Sequence, residues 1–290
     1  MTDALALRSA AEGLAGPMPS LLAAADHLAQ TVMLGDHGRR RAGMGDTFWQ
    51  YRPAQLGDEA RTIDWRRSAR ADSNFVADKE WQIAQSVVLW VDQSAAMHFT
   101  SSNNISTKSA RARILALATA ILLTRGGERV GLTGLRLPAR RGAGQIRQMA
   151  ELLCETDSSD FGTPSTQGLI PHGRALFVSD FLGAFDPTQT AVLDAAGRGI
   201  KGCILQILDP QEEAFPFTGR TTFQSMNGSM THETLSANGL KQRYLHKLAE
   251  RKHALQILAH KTGWQFYTHH TNTPATSALL WLYQSLEGRS

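Results

Sequence analysis

Val87-Val88-Leu89-Trp90-Val91, followed at once by Asp92, is the stretch that decides the fold. A continuous apolar run that stops at an acid predicts a central strand covered on both faces, as in a parallel sheet. Ala175-Leu176-Phe177-Val178-Ser179 repeats the pattern and ends in Asp180, and Cys203 to Leu208 closes on Asp209-Pro210. Between these runs the apolar spacing changes to that of helices. One is predicted from Lys108 to Arg125, with Ile114, Leu117, Ala118, Ile121 and Leu122 on one face and Gly126-Gly127 ending it.

Outward from there the rhythm continues. Arg129 to Leu135 predicts the second strand, and Gln145 to Cys154 and Thr188 to Ala196 predict helices. Gln211 to Asn238 breaks the alternation and reads as a hairpin-like insertion. A long helix from Leu240 to Thr262 follows, its stripe made by Leu240, Tyr244, Leu248, Leu255 and Leu258. Trp264–Tyr267 gives a last strand and Ser277–Leu286 a last helix. The expected fold class over residues 86–290 is therefore α/β, a doubly wound and mostly parallel sheet in three layers, Rossmann-like.

Residues 1–85 read differently. Leu21, Ala25, Leu28 and Val32 predict a helix over Pro17–Leu34. Short aromatic-bearing strands are expected at Thr47–Tyr51, Thr62–Trp65 and Asn74–Ala77, with turns at Gly57-Asp58 and Asp72-Ser73-Asn74.

Composition narrows the function classes. A hydrophobic content of 42% with 19% charged residues is that of a folded globular chain, and no apolar run is long enough to span a bilayer. The start of the chain carries Asp3 and Glu12 where a signal peptide has basic residues. A cytoplasmic protein without a transmembrane segment is expected. Cys154 and Cys203 have no metal-ligand spacing and read as buried free thiols. The net charge of +4, with arginines at 39–41, 66, 67 and 70, permits anionic partners. No nucleic-acid-binding signature accompanies it, so no nucleic-acid partner is expected.

In an open parallel sheet, ligands bind beyond the carboxyl ends of the strands, where strand order reverses. Asp92 and Asp180 stand at such ends. A buried carboxylate there needs a cation, a helix N-terminus or hydrogen bonds. All-oxygen ligation of Mg²⁺ is one solution, and capping or loop-tying is the other. Lys108, Arg111 and Arg113 crowd the first turns of the following helix, where the dipole disfavours cations. They must pair locally or attract an acidic group.

Two resemblances sharpen this reading. Asp92-Gln93-Ser94-Ala95-Ala96-Met97 resembles the Asp-x-Ser-x-Ser motif of von Willebrand factor A domains, with Thr163 and Asp180 falling where that family places its threonine ligand and second aspartate. The resemblance implies a metal-ion-dependent adhesion site of Asp92, Ser94, Thr163 and Asp180 holding Mg²⁺. Ala96 replaces one ligand serine, so the site is degraded. Gly43-Met44-Gly45-Asp46, Tyr51-Arg52 and the block from Gly57 to Arg70, with Asp58, Arg61, Ile63-Asp64-Trp65-Arg66 and Arg70, are similar to the signature of the bacterial domain-of-unknown-function 58 family. That family carries a von Willebrand A-like domain next, and many members begin with membrane helices. Its setting implies partnership with MoxR-type AAA+ ATPases in an adaptor or chaperone-like role.

The signature residues Asp58, Arg61, Asp64, Trp65, Arg66 and Arg70 are expected either to dock the β-rich segment or to contact a partner. Phosphate-loop, dinucleotide, zinc-protease and nucleophile-elbow motifs are all missing, which favours a non-enzymatic binding module. The competing reading is a Mg-dependent hydrolase built on Asp92 and Asp180. His269-His270 reads as loop polarity.

Overall fold

The computed structural model describes residues 4–6, 8–9, 42–43, 47–55, 58–60, 63–70, 73–80, 85–134 and 137–287. The helix expected over Pro17–Leu34, the arginines at 39–41, and Arg61 lie outside them. The chain forms two units, Ala25–Ala84 and Gln85–Ser290 with Met1–Ala24.

In the smaller unit, β1 (Ala42–Gly43), β2 (Thr47–Pro53) and β3 (Phe75–Glu80) make an antiparallel sheet in the order β1-β3-β2. The strand expected at Thr62–Trp65 is instead one bridge, Ile63 to Val76, followed by a helical turn, α1 (Trp65–Ser68). Asp64 causes the change. Its carboxylate accepts hydrogen bonds from the backbone N–H groups of Arg66 and Arg67, which turns the chain out of the sheet.

The larger unit is a three-layer α/β structure. Its elements are β4 (Ser86–Val91), α2 (Lys108–Arg125), β5 (Arg129–Leu132), β6 (Leu137–Arg140), α3 (Ala143–Leu153), β7 (Arg174–Ser179), α4 (Phe185–Gly197), β8 (Lys201–Leu208), α5 (Pro210–Ala214), β9 (Thr221–Gln224), β10 (Thr231–Thr234), α6 (Ala237–Thr262), β11 (Gln265–His270) and α7 (Ala275–Glu287). Six strands form the sheet in the order β11-β8-β7-β4-β5-β6, all parallel except the β5–β6 pair. β9 and β10 pair separately as the hairpin of the insertion.

Alternation along β4 builds both cores. Val87, Leu89 and Val91 face a core shared with α2, α3 and α7, whereas Val88 and Trp90 face one shared with α4 and α6. Phe177 lies edge-on to Trp90 and Trp264, with ring centroids 5.8 and 5.1 Å away. Each such pair adds about 0.5–1.5 kcal/mol beyond burial. The expected one-sided stripe of α2 is not what forms. Leu115 to Leu123 is buried all round, because α2 lies between the sheet and the helices α3 and α7. The strand expected to run to Leu135 stops at Leu132, and β6 pairs back against it.

Successive strands step away from β4 in opposite directions, to β5 on one side and to β7 on the other. The reversal of strand order therefore falls between β4 and β7, whose carboxyl ends carry Asp92 and Asp180.

Candidate functional site at the strand-end rim

The backbone N–H of Asp92 donates to Val178 O at 2.9 Å, so the ends of β4 and β7 are in register. Each acid folds back on its own loop. Asp92 Oδ1 accepts from Ser94 N at 2.9 Å, and Asp180 Oδ1 accepts from Leu182 N at 2.9 Å. The Ser179 hydroxyl links the two ends, donating to Asp92 Oδ2 at 2.6 Å and accepting from Phe181 N at 3.0 Å. Phe181 is held at φ 53°. A non-glycine residue there costs on the order of 1–3 kcal/mol and persists only where its surroundings enforce it. Arg251 does so, its Nη1 donating to the carbonyls of Phe181 and Gly183 at 2.6 and 2.7 Å.

A cation answers the second acid, and it is a side chain. Lys108, in the first turn of α2, places Nζ 2.7 Å from Asp180 Oδ2 and 2.6 Å from Glu212 Oε1. Lys108 and Asp180 are each only 1% exposed. Burial alone would push the ammonium down, but the Asp180 and Glu212 carboxylates more than reverse this and hold it protonated. Glu212 is fixed by a capping box, in which Asp209 accepts from Gln211 N while Glu212 Oε2 accepts from Asp209 N. Asp209 Oδ2 also receives Ser101 N at 2.9 Å, pinning the loop after β4. Two further basic residues of α2 use carbonyls. Arg111 donates to Thr271 O and Thr273 O, and Arg113 to Glu155 O.

Of the four proposed magnesium ligands, Asp92 and Asp180 follow neighbouring strands, Ser94 bonds to Asp92 through its backbone N–H, and Thr163 is exposed next to Gly162. These residues fit the ion poorly. Every oxygen of both aspartates already accepts a bond, and the Lys108 ammonium supplies the positive charge beside Asp180. Gly162 lies so close to Asp92 that a Cβ there would overlap the carboxylate. Only the Ser94 hydroxyl suits an ion: it is buried and has no well-formed hydrogen bond of its own. Burial pushes the Asp92 carboxyl up, partly opposed by Ser179 and Ser94. Millimolar Mg²⁺ should therefore leave the thermal midpoint unchanged. A rise that grows with ion concentration and vanishes in Asp92→Ala would show instead that the ion binds the folded state. Gly162→Ala should destabilise by about 1–3 kcal/mol, as overpacking does, read as an earlier urea midpoint.

In the smaller unit the signature charges bond among themselves. Arg52 grips Asp58 with two hydrogen bonds of 2.7 Å, and Tyr51 donates to Asp64 Oδ2 at 2.9 Å. Trp65 is 59% exposed, so the charges do not close around it. Arg66 and Arg70 are exposed.

Reasoning from sequence did not find Ser179, Lys108 as the cation, or Glu212. A readable signal for the last was Asp209-Pro210-Gln211-Glu212, an N-cap with proline at the first helical position and an acid three residues on. His269 and His270 end β11 and are not loop residues. His269 is buried, and His270 Nε2 lies 2.7 Å from Glu213 Oε2. Cys203 is buried as expected, whereas Cys154 is partly exposed.

A three-layer α/β protein with a mostly parallel six-stranded sheet and a buried polar rim is the class these features define. The chain belongs to the family described as "Protein of unknown function DUF58", whose model matches residues 50–254. It is 26% identical over 225 residues to the uncharacterized proteins Rv1480 of Mycobacterium tuberculosis and Mb1516 of Mycobacterium bovis, covering 70% of this chain and 67% of each relative. Solved structures similar to it include the conserved hypothetical protein BatB from Bacteroides thetaiotaomicron, at 13% identity and a TM-score of 0.41, covering 70% of this chain and 98% of that one. An aerotolerance-related membrane protein from Bacteroides fragilis matches at 12% identity and a TM-score of 0.39, covering 70% and 99%. An uncharacterized membrane spanning protein from Vibrio fischeri matches at 17% and 0.20, covering 70% and 98%. The cytoplasmic location expected from the sequence is corrected by these descriptions: two of the three neighbours are described as membrane proteins, and the protein is not assigned to the cytoplasm. Among the described residues, no helix is long and apolar enough to cross a membrane.

Proposed function

We propose that this chain is a non-catalytic protein-binding module of the von Willebrand factor A type, acting as an adaptor for a MoxR-type AAA+ ATPase. The observation that carries the reading is the commitment of both rim carboxylates. Asp92 and Asp180 stand side by side at the reversal of strand order, with each oxygen bonded to a neighbour. A general acid or base must exchange its proton with substrate or water. Carboxylates held in this way supply fixed shape and charge, on which the surrounding loops are set.

Phe161 and Thr163 stand exposed on one of those loops. Asp92, Ser94 and the placement of Asp180 support the von Willebrand A type, and Ala96 and Lys108 mark a departure from its metal chemistry. Partner contact is then direct, without a bridging magnesium ion. The choice of ATPase rests on the family signature between Gly43 and Arg70.

The test is binding between the purified full chain and the MoxR-type ATPase of the same organism, by titration calorimetry in each nucleotide state. Saturable binding is expected, weakened by Thr163→Arg with the thermal midpoint unchanged. Two results would overturn the reading. One is no binding in any nucleotide state. The other is magnesium-dependent hydrolysis of a phosphomonoester that is lost in Asp92→Asn.

A further inference from the structure

A cavity of about 440 Å³ opens in the smaller unit, lined by Tyr51, Asp64, Arg66, Arg67, Arg70 and Phe75. Its volume falls in the range of small-molecule sites. Three arginines and one carboxylate line it, and that carboxylate is already committed: Asp64 Oδ1 accepts from Arg66 N and Arg67 N, and Oδ2 accepts from the Tyr51 hydroxyl. Arg66 and Arg70 have no ion pair among the described residues, so two positive charges are left in excess. Arg67 lies over the rings of Tyr51 and Phe75, its Cζ 4.3 and 5.3 Å from their centroids. Stacking of this kind fixes the plane of the guanidinium and keeps its N–H edge free to donate.

We propose that this cavity binds a phosphate group, held by Arg66, Arg67 and Arg70 against the wall of Tyr51 and Phe75. Three observations select that chemistry. The excess charge matches a phosphate near its dianion at neutral pH better than a lone carboxylate. All three cations are arginines, whose forked donors take oxyanions two at a time. An aromatic wall beside them suits the organic group that carries the phosphate. The proposal is independent of the rim and of any ATPase partnership.

The experiment uses the full chain and inorganic phosphate, titrated by calorimetry at constant ionic strength with chloride as the replaced ion. Saturable binding is expected, weakened at least tenfold in Arg66→Gln/Arg70→Gln. Both positions are exposed, so the thermal midpoint of the variant should not move. Arg66→Lys/Arg70→Lys keeps the charge but loses the fork, and should weaken binding severalfold. Vesicles of phosphatidylcholine with and without phosphatidic acid form a second arm. Capture only by the phosphatidic acid vesicles assigns the phosphate to a lipid headgroup. Binding of free phosphate without vesicle capture assigns it to a soluble ligand. Unsaturable binding, equal affinity in the glutamine variant, or tighter binding of a hexaglutamate peptide than of phosphate would overturn the proposal.

Discussion

Lys108→Met is expected to destabilise the folded chain by about 3–5 kcal/mol, the usual result of removing one partner from a buried ion pair. For a domain of this size that lowers the thermal midpoint by roughly 10 °C. The cause is the pair of carboxylates left behind. Asp180 and Glu212 would face each other's charge with the ammonium gone, and neither is open enough to be rehydrated. Burial already pushes the Glu212 carboxyl up even with Lys108 present.

Methionine keeps the length and apolar stem of the lysine, so the loss reports the charge and not a cavity. Glu212→Gln on the same background should restore part of the stability, because it removes one of the stranded charges. Equilibrium urea unfolding of the parent, both single variants and the double variant checks this. A loss below about 1 kcal/mol, the level of an exposed pair, would mean that water reaches the cluster in solution.

Acid is expected to weaken the fold through His269. Its ring is buried at the end of β11, and its pKa is pushed down from 6.5 to about 4, by burial first and then by Arg111 and His270. The folded chain thus keeps His269 neutral between these values, whereas the unfolded chain takes up a proton near 6.5. The unfolded state binds more protons in that window. The contribution is fully present above pH 6.5 and is lost as pH falls to about 4. A shift of this size corresponds to about 3 kcal/mol. Asp92 and Glu212 work the other way, since their carboxyl groups are pushed up and protonation favours the folded chain. His269→Gln should flatten the dependence of urea stability on pH across the window. His270, also lowered by burial and by Lys252, would leave a smaller residual slope. Parallel pH profiles for parent and variant would place the acid sensitivity elsewhere.

Much of the larger unit was legible because burial on both faces writes an unmistakable pattern. The runs ending at Asp92 and Asp180 read as central strands, and the structure sets them side by side where strand order reverses. The helix over Lys108–Arg125 is found with the expected bounds. Strand β6 was not legible. Its four residues include Pro138, which breaks the pattern of a strand, yet proline is tolerated at a sheet edge. Trp65 was misplaced because aromatic content favours a strand, while the carboxylate of Asp64 decided for a helical turn. The cation beside Asp180 stayed hidden for a different reason. Lys108 meets partners 72 and 104 residues away, and no local pattern marks a lysine that will be buried. The strand-end position leaves metal ligation and capping both open for these acids, and beside Asp180 the structure places the Lys108 ammonium.

Strand β6 also has a bearing on what the molecule avoids. It borders the six-stranded sheet, runs against its neighbour, and presents Pro138 and Arg140 to solvent. An incoming β-segment would find one amide missing and an exposed cation in its path. Fusion of sheets from separate molecules, the first step toward fibrous deposits, is thereby obstructed along that flank.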